Sequence, residues 1–440
     1  MNIERILSKL GIASLSEMQV NVGKTMLDNN HDIVVLSPTG TGKTLAYLLP
    51  LIQLIAPTDD NVQAVVIVPG RELALQSATV MGGMGCGLRS MPCYGGRMTM
   101  EEHLAMRKIR PQIIFATPGR LNDHIDKGNI DASTIKYLII DEFDKCLEMG
   151  FIDEMSALIQ KLHNVKKKVL LSATDAEAIP DFVNTERMVR LDYLSAADNV
   201  KERVSTYRVT SPEKDKLHTL DQLLRLCGDG STIVFVNYRE SVERVSGFLK
   251  EEGFSFSAYH GGLEQKERES ALYRFENGSA NILVSTDLAS RGLDIPLVEN
   301  IIHYHLPETE DAYIHRVGRT ARWDADGRNF FLLGPSEQLP DYVEKDTPEI
   351  PLDDVPTKIA QPKMGTLYIG KGKQSKISKG DVVGFLCKKG GLKASEIGRI
   401  DIKDRYTYVA VPFAKVDNVL KMTTGEKIKG VKTIVETLSD

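Results

Sequence analysis

Short, unbroken runs of aliphatic residues recur in the first part of the chain: DIVVL (32–36), AVVIV (64–68), QIIFA (112–116), YLII (137–140) and KVLLS (168–172). Longer stretches with a helical apolar period separate them, such as KTLAYLLPLIQLI (43–55). A strand with one wet face alternates apolar and polar residues. These runs do not alternate, so they predict strands buried on both faces, as in a parallel sheet covered by helices. The pattern lapses over RLDYLSAADNVKERV (190–204) and resumes with STIVFVN (231–237), NILVSTD (281–287), ENIIHYHLP (299–307) and NFFLLG (329–334). The chain therefore reads as two α/β domains in tandem, residues 1–200 and 201–335.

A third region follows. Residues 335–363 carry six prolines and seven acids, a composition that buries no core and predicts an extended, disordered linker over 336–361. Beyond it come strand TLYIGKG, helix KGDVVGFLCKK, strand IGRIDIKD, strand YTYVAVP, helix KVDNVLKM and strand VKTIVETL. This βαββαβ order predicts a small split-βαβ domain over 362–440.

Charge separates this last domain from the rest. From residue 364 onward there are 15 Lys+Arg and 8 Asp+Glu, a net of +7; against a whole-chain net of −5, the remainder carries −12. A basic tail on an acidic body points to an anionic partner, the alternative being a solvated lysine-rich surface. The five cysteines are scattered, with no CxxC pair, which argues for a reducing compartment and against a zinc site. With no signal-like start and no apolar run long enough to span a bilayer, the expected location is the cytoplasm.

Three stretches carry chemistry. SPTGTGKT (37–44) sits between an apolar strand and a helix. Gly40 and Gly42 allow a tight turn whose N–H groups, with the helix N-terminus, suit phosphate; Lys43 can reach the β- and γ-phosphates, and Thr44 can serve Mg²⁺. The alternative is a chance glycine turn. DEFD (141–144) caps the strand YLII, so Asp141 can hold Mg²⁺ and Glu142 can orient and deprotonate an attacking water. HRVGRTAR (315–322) places Arg316, Arg319 and Arg322 at helical spacing with no acid among them. Such guanidinium groups suit the γ-phosphate of a nucleotide held by the first domain, or a structural ion-pair cluster.

Together with Gln19 in SLSEMQ, VPGRELALQ (68–76), YGG (94–96), TPGR (117–120), SAT (172–174), IVFVN (233–237), HGGLEQKER (260–268) and VSTDLASRGLDIP (284–296), these motifs resemble the DEAD-box RNA helicases of superfamily two over about residues 10–335. The resemblance implies two RecA-like domains. ATP is the implied substrate, with Mg²⁺ as its metal, held by Thr44 and Asp141 partly through water. It implies that Gln19, Thr39, Gly40, Thr41, Gly42, Lys43, Thr44, Asp141, Glu142 and Asp294 bind or process ATP, and that Arg319 and Arg322 act as finger residues. Ser172, Thr174 and His315 would couple hydrolysis to RNA. Arg71, Gly96, Thr117, Arg120, Gln265, Arg268, Thr286 and Gly292 would line an RNA track that meets backbone rather than bases.

The chain departs from the family pattern at Phe143, beside the expected metal site, at Gly70 and Ala321, and at Asn2, where an aromatic is usual. The tail resembles the RNA-binding domain of the DbpA subgroup, a divergent RNA-recognition motif, which implies capture of a hairpin of large-subunit ribosomal RNA. Tyr368, Lys371 and Lys373 on the first strand and turn, and Tyr406 and Tyr408 on the third strand, are its candidate RNA contacts, the tyrosines by stacking, the alternative being that the tyrosines are plain surface or core. The leading reading is an ATP-dependent RNA helicase that locally unwinds structured RNA in ribosome assembly. Alternatives are an RNA clamp with little turnover and a DNA-directed motor.

Overall fold

The computed structural model describes residues 3–28, 31–38, 40–96, 99–175, 180, 183, 188–194, 204–287, 298–320 and 327–438. The chain divides into two compact units, the first running to Arg203 and the second beginning at Val204.

The first unit holds a seven-stranded sheet, all parallel. Its order is Ser90–Cys93, Ile113–Ala116, Ala64–Ile67, Tyr137–Ile140, Lys167–Ser172, Asp32–Leu36, Met188–Asp192. The aliphatic runs fill both faces. Ile33 and Val35 join one buried cluster with the helices Glu17–Asp28 and Lys43–Leu54, while Val34 and Leu36 join the other with Leu121, Cys146 and Leu158. Lys167–Ser172 lies between the strand that precedes the glycine loop and the strand that ends in Asp141. The three motif-bearing strand ends are thus side by side at the carboxyl edge, where open α/β sheets bind ligands.

The second unit begins with a six-stranded parallel sheet, ordered Phe256–Tyr259, Ile282–Thr286, Thr232–Val236, Asn300–His303, Gly327–Leu333, Val204–Thr210. Residues 334–363 contain no helix and no extended strand. They are nonetheless laid onto this sheet rather than disordered, which corrects the expectation from composition. Ile350, Leu352 and Ile359 pack on its core, Val343 is buried with Phe331, and the Arg208 N–H donates to Pro348 O (2.9 Å). The buried Lys216 ammonium bonds Glu337 (2.7 Å) and Leu332 O (3.0 Å). A few well-spaced apolar residues secure a segment whose mean composition is polar.

The tail forms a four-stranded antiparallel sheet ordered Ile400–Ile402, Thr407–Pro412, Met364–Ile369, Val435–Thr437, backed by the helices Lys379–Lys389 and Val416–Thr423. Strand period two divides its residues. Leu367, Ile369, Val409 and Val411 face a core with Phe385 and Val419, while Tyr368 pairs with Tyr408 in register on the other face. That outer face is covered by the helix Gln265–Glu276. The Tyr408 ring is 5.2 Å from Tyr273 and 0% exposed, and Lys266 lies over Tyr368 and Tyr406 at 6.0 and 5.6 Å. Polar contacts surround the aromatics: Asn277 Nδ2 to Thr366 Oγ1 (2.9 Å), Lys403 to Glu269 (3.5 Å), and Arg399 to Glu276. Tyr408 is therefore a packing residue, the core alternative, and not a ring open to stack on bases. Tyr368 and Tyr406 remain partly exposed.

Candidate active site and RNA surface

The glycine loop leaves the strand Asp32–Leu36 and enters the helix Lys43–Leu54 through Gly42 at φ 86°, after Gly40 at φ 80°. Gly42 carries no side chain to cap the helix, so no side chain competes with an anion for its first N–H groups. A Cβ on Gly42 would lie 2.4 Å from Gln19 Nε2, which donates to Gly42 O (3.2 Å). The Gln19 side-chain carbonyl accepts from the Ser16 N–H (2.9 Å) while Ser16 Oγ accepts from the Gln19 N–H (3.3 Å). This reciprocal cap ties Gln19 to the loop. Thr41 Oγ1 donates to Pro38 O (2.9 Å) and pairs with Ser37 Oγ (2.8 Å). Lys43 Nζ is folded onto Ser37 O (2.7 Å) and Pro38 O (3.3 Å). Thr44, half-buried, is the next helical residue.

Asp141 is buried at the end of Tyr137–Ile140, its N–H donating to Ile67 O (2.9 Å). Burial, and then the neighbouring Glu142 charge, push its carboxyl up to about 7, with Lys43 opposing. Glu142 sits at φ 50°, ψ 53°, a left-handed conformation that costs a non-glycine residue about 1–2 kcal/mol. Its Oε2 is buried with no hydrogen-bond partner among the described residues.

Asp144, which the sequence motifs alone do not single out as functional, links this strand to its neighbour. Its Oδ2 accepts from the Ala173 and Thr174 N–H groups (3.1 and 3.2 Å) and from Thr174 Oγ1 (3.0 Å), and Ser172 Oγ donates to Thr174 O (2.6 Å). The one sequence signal is its place as the last acid of DEFD. Phe143 does not crowd this edge: its ring belongs to the apolar cluster of Ile140, Cys146 and Met155.

The chain belongs to the DEAD-box ATP-dependent RNA helicases. Residues 16–182 match the DEAD/DEAH box helicase family, 215–324 the helicase conserved C-terminal domain and 366–437 the DbpA RNA binding domain. The chain is 34% identical to the ATP-dependent RNA helicase DbpA of Escherichia coli over 96% of this chain and 94% of that protein. It is 36% identical to the ATP-dependent rRNA helicase RRP3 of Yarrowia lipolytica over 69% of this chain and 64% of that one. Among solved structures it is similar to S. cerevisiae Dbp5 bound to RNA and ADP BeF3, with TM-score 0.69 and 26% identity over 80% of this chain and 94% of that one. This helicase hydrolyses ATP and binds RNA.

Several residues expected on the RNA track of this helicase are brought together in the first unit. Arg71 opens the helix Arg71–Met84 and closes on Gly96, where a Cβ would meet its Nη1 at 2.5 Å; Gly96 has φ 92°. Thr117 caps the helix Pro118–Asp126 and its N–H donates to Cys93 O (3.2 Å). Arg120 follows one turn later. Gly70 has room for a side chain: φ is −137°, and a Cβ would meet only Glu72 Oε2 at 3.8 Å.

In the second unit of this helicase, Gln265 and Arg268 lie on the first turn of Gln265–Glu276, with Arg268 over Tyr259 (5.7 Å), and Thr286 ends its strand, buried. Lys371 turns out of the first tail strand and Lys373 is exposed after it. His315 and Arg319 are buried at the end of the helix Glu310–Val317 and just past it. Arg316, 1% exposed, is a structural residue: Nε and Nη2 each bond Asp287 at 2.6 Å, Nη1 donates to His305 O (2.7 Å) and Nη2 to Asn237 Oδ1 (2.9 Å). Thr39, Asp294, Gly292, Arg322, Ala321 and Asn2 lie outside the described residues.

Proposed function

We propose that this helicase locally unwinds structured ribosomal RNA in the cytoplasm during assembly of the large ribosomal subunit, hydrolysing ATP when RNA drives its two RecA-like domains to close. The observation that carries this reading is the tail, which matches the DbpA RNA binding domain and holds the +7 charge. The Yarrowia lipolytica relative is an ATP-dependent rRNA helicase, which supports the ribosomal substrate. No helix among the described residues is long and apolar enough to cross a membrane.

Lys43 and the loop amides from Thr39 to Thr44 hold the phosphates, and Gln19, bonded to the loop at Gly42 O, reads the adenine. Mg²⁺ fits the donors present, since the Thr44 hydroxyl and the buried Asp141 carboxyl are oxygen ligands, and a cation would favour the ionised Asp141 that burial and Glu142 oppose. Thr44 and Asp141 would hold that ion, which neutralises phosphate charge when bound. Glu142 Oε2, buried and unpartnered, takes a proton from the attacking water. Asp294 binds ATP, and Arg319 and Arg322 act as finger residues that stabilise the charge developing on the γ-phosphate. Asp144 carries the state of this site to Ser172 and Thr174, and His315 does so from the second domain. Arg71, Gly96, Thr117, Arg120, Gln265, Arg268, Thr286 and Gly292 grip RNA backbone without regard to sequence.

Titrating ATPase activity with hairpins of large-subunit ribosomal RNA, and with scrambled hairpins, tests the reading. A lower half-stimulating concentration for one ribosomal hairpin is expected. Equal stimulation by all of them would remove the ribosomal assignment.

A further inference from the structure

Beneath Arg120 lies a polar cluster that no step of ATP hydrolysis uses. Glu102 and His124 are buried, His124 at 0% exposure. Glu102 Oε2 accepts from Arg120 Nε (2.7 Å) and from His124 Nε2 (2.9 Å), and Oε1 accepts from the Tyr94 N–H (3.2 Å). Asn129 Nδ2 donates to His124 Nδ1 (3.1 Å), so the ring carries its proton on Nε2 and donates it to Glu102. Arg120 Nη1 donates to Thr99 Oγ1 (2.8 Å). Burial opposes the Glu102 charge, but the His124, Arg120 and Tyr94 hydrogen bonds outweigh it and hold its carboxyl below the usual range.

Glu102 and Thr99 on different nitrogens, with Asp123 Oδ2 3.7 Å from Nη1, fix both the place and the plane of the guanidinium. A charged carboxylate is costly to bury for packing alone. Cys93, Glu102 and His124 also bring three ligand-type atoms within 4.8 Å of one another. A metal is not what unites them: Arg120 already supplies the positive charge, and burial, then Glu102, push the Cys93 thiol far from its thiolate.

We propose that Glu102, braced by His124 and Asn129, is a positioning residue that presets the Arg120 guanidinium for an RNA phosphate, a role that rests on the proposed contact of Arg120 with RNA backbone. Free arginine would lose rotamer freedom on meeting RNA; an arginine already held in place loses little, which strengthens binding without a new contact.

The test uses the full chain and the dependence of ATPase rate on single-stranded RNA concentration. Glu102→Gln removes the charge and sets an amide donor against either the Tyr94 N–H or Arg120. It is expected to raise the RNA concentration for half-stimulation about tenfold, the scale of one charge-assisted contact, without a matching rise in the KM for ATP. Arg120→Ala should do the same, and the double variant should be no worse than Arg120→Ala alone. If Arg120→Ala leaves the half-stimulating concentration unchanged, Arg120 does not meet RNA and its place on the RNA track falls. If Arg120→Ala weakens RNA use but Glu102→Gln does not, or the two effects multiply, Glu102 does not act through Arg120 and the proposal is overturned. Arg120→Lys, with Glu102 intact, decides the matter even if Glu102→Gln fails to fold. Lysine keeps the charge but cannot hold Glu102 and Thr99 on two nitrogens, so it should behave as alanine does; restoration of RNA use by lysine would overturn the proposal.

Discussion

Arg316 holds Asp287 through two hydrogen bonds of 2.6 Å each, with the guanidinium stacked 5.1 Å from the Phe235 ring. Removing one partner of a fully buried, hydrogen-bonded charge pair costs about 3–5 kcal/mol, and the 23% exposure of Asp287 puts the expected loss at the low end of that range. Arg316→Ala is therefore expected to unfold the second domain at a markedly lower denaturant concentration. Arg316→Lys should recover little, because an ammonium cannot reproduce the fork. Circular dichroism in urea checks this; a midpoint unchanged from wild type would show that the pair is not structural.

Asp141 makes the free protein pH-sensitive. Its folded carboxyl titrates near 7, against 3.8 unfolded. The protonated form is the one the fold favours, so the group stabilises the protein below about pH 4, and that stability is lost as pH rises through 7. The full effect has a ceiling of about 4 kcal/mol. Asp141→Asn should raise the melting temperature at pH 8, change it little at pH 4, and abolish ATP turnover. Melting curves of both proteins across this range decide it; parallel pH dependences would mean that Asp141 is ionised without penalty.

Lys43 has backbone carbonyls of its own loop as partners, which a phosphate can replace at small cost. Lys43→Ala should abolish RNA-stimulated ATP turnover while leaving the melting temperature of the free protein nearly unchanged. Wild-type turnover at saturating ATP and RNA would place the phosphate site elsewhere.

Tyr408 is buried against Tyr273, so Tyr408→Ala should destabilise the second unit by about 3–5 kcal/mol. Tyr406→Ala, at a half-buried ring, should cost less. Thermal unfolding of the two variants, compared with their RNA binding, separates packing from stacking. Loss of RNA affinity in Tyr408→Ala with an intact melting curve would restore Tyr408 as a base contact.

Gly70 caps the helix Arg71–Met84 without a side chain, in an extended conformation open to substitution. Gly70→Thr should raise stability by a few tenths of a kcal/mol through capping and add a hydroxyl beside Arg71. A lower RNA concentration for half-stimulation is the expected result; a fall in melting temperature would show that the loop has no room.

The sequence by itself determined the two parallel sheets and the phosphate loop, because both are local. Runs such as DIVVL and YLII need two buried faces wherever they lie, and Gly40 and Gly42 between a strand and a helix leave the backbone few alternatives. It did not reveal the strands Ser90–Cys93, Met188–Asp192, Val204–Thr210 and Phe256–Tyr259, which are too polar to stand out and acquire strand form from their neighbours. Tertiary structure alone separated residues that look alike in sequence. Arg316 and Arg319 are three apart, yet Arg316 is committed to Asp287 and Asn237, 29 and 79 residues away, which no local pattern encodes. Period two puts Tyr368 and Tyr408 on one face of the tail, but only the packing of Gln265–Glu276 on that face decided that Tyr408 is buried. Glu102 reads as one acid among many until its lone pairs are found shared among Arg120, His124 and the Tyr94 amide. A buried charge acquires its meaning from the partners that offset its desolvation, and those partners are set by the fold.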